Sequence, residues 1–357
     1  MPHDGASPSG PELLGPLLRD VSRSFYLTLR VLPAALRVPV GLAYLLARAA
    51  DTIADTQLLP PRRRLELLLA FRAQVHGPAD DQQLHEIELA LTEHQKDSSE
   101  RLLLQALVPA VRLLNRLWEA DRAEVRAVVT TLTQGMEMDL TTFPLETSGE
   151  VAALRNLEEL ERYIYLVAGC VGEFWTRITM AHTPALRGWD AGAMCACGVR
   201  FGKALQLTNV LRDCPRDLRI GRCYFPRDLL AKAGLRPEDL LKAENSARAR
   251  PILCKLLLVA LDHYREALRY TLAIPRRCVR LRLACLWPML IGLPTLGQLA
   301  RKPVWLEVER PVRVAQAFVN RMLVLSVPGV LSNAVVERWV SSHIQDVEQA
   351  ALSKDEG

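Results

Sequence analysis

The chain has 357 residues; half are hydrophobic, 24% are charged and only 6% are aromatic. That composition excludes a disordered tail protein, a collagen-like fibre and a small disulfide scaffold, and the length is ample for a large core in one domain or two. The net charge of +5 (45 − 40) is too mild for this size to mark a nucleic-acid binder, so no nucleic-acid partner is expected. The basic residues are lopsided, 38 Arg against 7 Lys. A GC-rich coding bias and recognition of phosphate, whose oxygens match the guanidinium fork, both account for this, and composition does not choose between them.

Residues 1–12 (MPHDGASPSGPE) read as a disordered lead. They have neither a basic nor an apolar signal-peptide region, so no signal peptide is expected. Residues 13–345 read as one all-helical domain. Apolar residues recur at three and four spacings over 13–36, 40–56, 62–75, 101–117, 122–140, 151–180, 192–213, 252–273, 281–300 and 312–350. No period-two alternation is sustained, so no strands are expected, and no fixed-period repeat points to a solenoid. The connections, such as 76–81 and 183–190, are short loops rather than inter-domain linkers. Residues 283–300 carry no charge, but Pro288, Gly292, Pro294, Gly297 and Gln298 interrupt them, which favours a buried core helix over a membrane span. Residues 322–335 are too short to span; core packing is expected there, with contact to a membrane surface as the alternative. Residues 346–357 read as a polar tail with no membrane anchor, so the protein is expected to be cytoplasmic, either soluble or peripheral to a membrane.

The eight cysteines form no C-x-x-C and no zinc-ligand spacing, which fits small hydrophobes in a reducing compartment. P-loop, dinucleotide-fold, H-E-x-x-H, G-x-S-x-G and Glu-x-x-His patterns are missing from the sequence.

Two polar stripes carry the chemistry. In YLLARAADTIAD (44–55), Tyr44, Arg48, Asp51 and Asp55 are spaced four, three and four, so they share one face of an otherwise apolar helix. In QLTNVLRDCPRDLRIGRCYFP (206–226), Gln206, Asn209, Asp213 and Asp217 repeat the pattern, with Arg212, Arg216, Arg219 and Arg222 around them. A solvated face bearing ion pairs explains either stripe alone, but two on apolar helices are harder to dismiss. Facing each other, they would offer hard oxygen ligands suited to Mg²⁺ and guanidinium groups suited to a diphosphate.

In order and at these separations, SRSF (22–25), YLLARAADTIAD, YIYLVAGCVG (163–172) and QLTNVLRDCPRDLRIGRCYFP resemble the squalene and phytoene synthases, head-to-head isoprenyl diphosphate synthases, over about 20–315. The wording is most similar to bacterial squalene synthases. The resemblance implies an all-α isoprenoid-synthase bundle around a deep apolar cavity. It implies Mg²⁺ held by Asp51, Asp55, Asn209, Asp213 and Asp217. It also implies prenyl diphosphates met by Arg23, Phe25, Tyr44, Arg48, Gln206, Arg212 and Arg222. Catalytic roles fall to Arg48 and the four aspartates, and to Tyr163 in proton transfer or cation handling. The implied reaction joins two farnesyl diphosphates into presqualene diphosphate, which NADPH reduces to squalene. Sibling enzymes stop at presqualene diphosphate or make dehydrosqualene or phytoene; a non-catalytic helical partner protein of the same fold is the distant alternative. Two departures stand out. Pro215 lies inside the second motif, and LEVERPVRV (306–314) carries Glu307 and Glu309 where basic residues for NADPH are expected, leaving Arg310 as a candidate contact. The oligomeric state is not legible.

Overall fold

The helical periodicity becomes helices in the computed structural model, which describes residues 13–22, 29, 31–56, 58–95, 97–143 and 149–352. The expected lead over 1–12 lies outside the described residues, as do Arg23, Phe25 and positions 353–357. The chain divides into two compact units, Met1–Thr141 with Arg177–His182, and Thr142–Thr176 with Thr183–Gly357.

In the first unit the helices are α1 (Leu18–Ser22), α2 (Ala34–Asp55), α3 (Pro61–His76), α4 (Asp81–Thr92), α5 (Ser98–Gln105), α6 (Leu107–Arg116) and α7 (Glu119–Thr142). Pro33 and Pro60, held extended, precede the first turns of α2 and α3. There a proline's fixed φ costs nothing and stops the helix from running backwards. Leu36, Leu42, Leu45, Leu46, Ala49, Ala50 and Ile53 of α2 are fully or almost fully buried. Each large aliphatic side chain so buried contributes about 2 kcal/mol. The end of α2 is fixed by a buried arginine: Arg64 Nη1 donates to the Ala54 carbonyl at 2.8 Å. A cation on the last carbonyls suits the negative end of a helix. Helix α4 falls in a stretch where no periodicity was expected. Its inward residues Leu84, Ile87 and Leu91 are diluted by polar neighbours, and Asp80 caps it by accepting from Gln82 N at 2.9 Å.

The second unit contains β1 (Ala152–Ala153), α8 (Leu157–Ile164), a π-helical turn over Tyr165–Gly169, the first half of α9 (Cys170–His182), α10 (Ala191–Arg219), β2 (Arg222–Cys223), α11 (Arg227–Lys232), α12 (Ser246–Ala273), α13 (Val279–Arg301), α14 (Gln316–Gly329) and α15 (Asn333–Leu352). The expectation of no strands is corrected by one short parallel pair, Ala152 against Arg222 and Ala153 against Cys223. The helix expected from 151 therefore starts only at Leu157, where the Asn156 side chain accepts from Glu159 N. Gly221, at φ 81°, turns the chain out of α10 into β2, a left-handed conformation suited to glycine. Helix α10 runs through the buried Pro215 to Arg219, six residues past the expected end at 213. The expected 312–350 helix is divided at 330–332, beyond Pro328 and Gly329. Helix α15 continues to Leu352 with Val347 and Ala351 buried, so residues 346–352 fold with the last helix rather than forming a polar tail.

Helix α13 is, among the described residues, the one long and apolar enough to cross a membrane. Of its most apolar window, 72% is buried inside the chain. It packs on α10, α12, α14 and α15, as expected of a core helix.

Candidate active site

On α2 the first stripe is assembled as its spacing requires. Arg48 donates through Nη1 to Asp51 Oδ2, and through Nη2 to Glu100 Oε1 at 2.5 Å. Glu100 is delivered by α5, whose N-cap Asp97 accepts from Ser99 N at 2.8 Å and Glu100 N at 3.4 Å. No spacing in the sequence singles out Glu100, because its partner lies 52 positions away on another helix. Crowding by the surrounding protein and the negative charge of Asp55 push the Asp51 carboxyl up to about 6, against the pull of Arg48. Asp55 is exposed at the end of the helix, and Tyr44 donates from its hydroxyl to the Val21 carbonyl at 3.4 Å.

On α10 the second stripe is likewise half-open. Arg212 grips Asp213 with both edges of its fork, Nε to Oδ1 at 2.8 Å and Nη2 to Oδ2 at 2.5 Å. Asp217 adds its negative field to the same guanidinium. Asn209 Nδ2 donates to Gln206 Oε1 at 3.5 Å. Arg222 follows on β2 and is half-buried. Behind the stripe, Thr208 Oγ1 and the buried Tyr264 hydroxyl lie 2.9 Å apart. Tyr264 fits because a Cβ on residue 292 would stand 2.0 Å from its hydroxyl oxygen, and residue 292 is glycine.

Tyr163 is buried and stacks on Tyr224, with ring centroids 4.7 Å apart and planes 23° apart. The Tyr163 hydroxyl donates to that of Tyr224 at 3.3 Å, and Phe143 meets Tyr224 edge-on at 5.3 Å. Tyr224 lies inside the YFP end of the second motif but carries no spacing that singles it out. The VAGCVG residues after Tyr163 have a packing role. A Cβ at Gly172 would sit 1.8 Å from the Gly198 carbonyl oxygen, and one at Gly202 would sit 2.1 Å from that of Ala168. The segment following Tyr163 and helix α10 therefore meet backbone to backbone. The π-helical turn at 165–169 occurs in that contact, and such turns are common where a helix is shaped for function.

Among the described residues no three His, Cys, Asp or Glu side chains converge as a ready metal cluster. Magnesium needs less: one or two carboxylates, with phosphate and water completing its shell. The mutual repulsion of Asp51 and Asp55 is a load that a divalent cation would relieve, and the amide and carboxylate oxygens of Asn209, Asp213 and Asp217 are of the same hard kind, so the residues fit this ion. At 306–314 Arg310 is paired with Glu307 at 3.8 Å, and Arg219 bonds Glu309 at 2.8 Å.

Comparison with known proteins places these motifs. A sequence model described as squalene/phytoene synthase matches residues 18–317. A bifunctional lycopene cyclase/phytoene synthase of Colletotrichum graminicola is 30% identical over 70% of this chain and 40% of its own. Squalene synthase ERG9 of Gibberella zeae is 26% identical over 78% of this chain and 58% of its own. The chain thus spans between two fifths and three fifths of the length of these relatives. The solved structure of TcSQS with the ligand BPH1237 superposes with a TM-score of 0.70 at 20% identity, covering 94% of this chain and 97% of that one, a likeness of fold.

Proposed function

Because the chain belongs to the squalene/phytoene synthase family, we propose that it is a magnesium-dependent prenyltransferase that joins two farnesyl diphosphates head to head into presqualene diphosphate and, given NADPH, yields squalene. The observation that carries this reading is the pair of stripes in which an arginine grips an aspartate on a helix otherwise devoted to apolar packing.

Joining two prenyl diphosphates expels one diphosphate with the bonding electron pair and releases one proton. Negative charge builds on the departing oxygens, and Arg48, Arg212 and Arg222 are the groups to bind them. Asp51, Asp55, Asn209, Asp213 and Asp217 would hold magnesium, which when bound supplies further positive charge to the diphosphate. Tyr163 is the group proposed to handle the released proton or to face the cation, its ring fixed by Tyr224 and its hydroxyl in line with a second one. The reaction also needs apolar walls that keep water away, since water would quench an allylic cation. The setting we propose is the cytoplasm, at or near a lipid surface that takes up the product.

The relatives include phytoene synthases as well as squalene synthases, so the longer substrate is the second reading. Incubation of the purified chain with farnesyl diphosphate and Mg²⁺, with and without NADPH, followed by product analysis, decides it. Squalene with NADPH and presqualene diphosphate without it are expected. Dehydrosqualene, or phytoene from geranylgeranyl diphosphate alone, would replace this reading with a sibling activity. Asp51→Asn and Asp213→Asn are each expected to lower turnover at least about a hundredfold; unaltered turnover would remove the stripes from the chemistry.

A further inference from the structure

The second unit carries a surface that the proposed reaction does not use. Val324, Leu325, Val327, Leu331 and Val335 are between 46% and 72% exposed. They lie within twelve positions, whereas the other exposed large hydrophobics among the described residues are scattered singly or far apart in sequence. Isolated exposed aliphatics need no explanation, but a contiguous group does. Helix α14 turns only a narrow stripe inward: Met322, Ser326 and Val330 are buried, and Trp287 Nε1 of α13 donates to Ser326 Oγ at 2.8 Å. Its broad aliphatic side faces out.

Basic residues are held beside this group by a buried one. Arg282 of α13 is fully buried and has no carboxylate partner among its hydrogen bonds. Its Nε donates to the Val330 carbonyl at 2.9 Å, its Nη1 to the Ile274 carbonyl at 2.6 Å, and its Nη2 to Asn333 Oδ1 at 2.8 Å. One guanidinium therefore ties the α14–α15 turn to the segment before α13, where Arg276 and Arg277 are exposed, as is Arg280 in the first turn of α13. Arg321 is exposed on α14 itself. Neither 267–306 nor 310–336 contains an aspartate or glutamate; Glu337 and Arg338 follow together on α15.

We propose that the α14–α15 corner is a membrane-docking surface, in which Val324, Leu325, Val327 and Leu331 enter the acyl boundary of an anionic bilayer while Arg276, Arg277, Arg280 and Arg321 meet its headgroup phosphates. An aliphatic surface rimmed by cations, with no carboxylate within 267–306 or 310–336, is the pattern that interfacial binding requires. A second copy is disfavoured by the same charges, because a two-fold contact would set one basic rim against another. The proposal stands on this surface alone and not on the reaction.

Co-sedimentation of the whole chain with phosphatidylcholine vesicles containing about one third phosphatidylglycerol tests it, with pure phosphatidylcholine vesicles for comparison. Binding is expected to the anionic vesicles, and to fall as salt is raised. Leu325→Asp with Leu331→Asp, and separately Arg276→Glu with Arg280→Glu, are each expected to weaken it about tenfold or more. Leu89→Asp, an exposed leucine of the first unit, is expected to leave it unchanged. Thermal melts of every variant separate lost binding from lost folding. The proposal is overturned by absence of binding to anionic vesicles, by equal binding to both compositions, by double variants that are folded and bind as well as the parent, or by equal loss in Leu89→Asp. Size-exclusion showing a parent dimer that Leu325→Asp with Leu331→Asp splits would instead assign the surface to a second copy.

Discussion

Arg48 is shared between two carboxylates, Asp51 one turn along its own helix and Glu100 on α5, so its fork is already oriented for the diphosphate proposed to bind there. Removing the Glu100 charge leaves Arg48 with Asp51 alone. Glu100→Gln is therefore expected to lower kcat/KM about tenfold, roughly 1.4 kcal/mol, in steady-state assays with varied prenyl diphosphate, while the thermal melt stays close to that of the parent. Glu161 offers a test of stability. Burial alone would raise its carboxyl, but hydrogen bonds from His263 Nε2 at 3.0 Å and Lys203 Nζ at 2.6 Å outweigh burial and hold it down to about 2. In the unfolded chain it titrates at the ordinary value of 4.5. Its contribution is thus complete above pH 4.5 and is lost as the pH falls from there towards 2. With allowance for solvent screening this amounts to about 2 kcal/mol. Denaturant melts across that interval are expected to show the loss in the parent and a flatter profile in Glu161→Gln.

At the scale of the element, the stripes on α2 and α10 were legible because helical spacing alone puts Arg48 with Asp51 and Gln206 with Asn209. Glu100, Tyr224 and Tyr264 were not, because each joins its partner through tertiary packing across tens of residues. Pro215 marked a possible interruption, yet α10 runs on: one missing donor is a local loss that the flanking turns absorb. The starts of helices were read less well than their faces. At 151–156 the pairing of β1 with β2 takes up backbone that apolar periodicity alone assigned to a helix. The glycine contact between the segment after Tyr163 and α10 predicts a sharp asymmetry. Gly172→Ala is expected to cost about 3 kcal/mol or more in urea melts, since two backbones must part. Gly188→Ala, with open space around its would-be Cβ, is expected to stay within about 0.5 kcal/mol of the parent.

For the whole molecule, apolar periodicity pointed to an all-helical protein, and the described residues are helical apart from loops and one two-residue strand pair. The division into two compact units was not legible, because no proline- or glycine-rich linker marks it; the chain passes from one to the other near the end of α7, within α9 and again at the end of α9. The cysteines read correctly as small apolar side chains. No disulfide joins any of the eight, seven of them are buried, and burial pushes the thiols of Cys170, Cys223 and Cys285 up to about 12. A thiol-reactive chromophore is expected to label Cys278 quickly in the native protein and all eight only after denaturation, and reductant is expected to leave Tm unchanged.

The contact of Gly172 and Gly202 with the carbonyls of Gly198 and Ala168 also governs what can move. Side-chain interfaces yield to a new occupant by changing rotamers; carbonyl and Cα atoms have none. Tyr163, five residues before Ala168, and Gln206, one turn beyond Gly202, are therefore fixed in a common frame. If the proposed prenyl chains lie beside these two side chains, room for a longer or bulkier one would have to come from the other elements around them, which makes those elements the place to look for chain-length control.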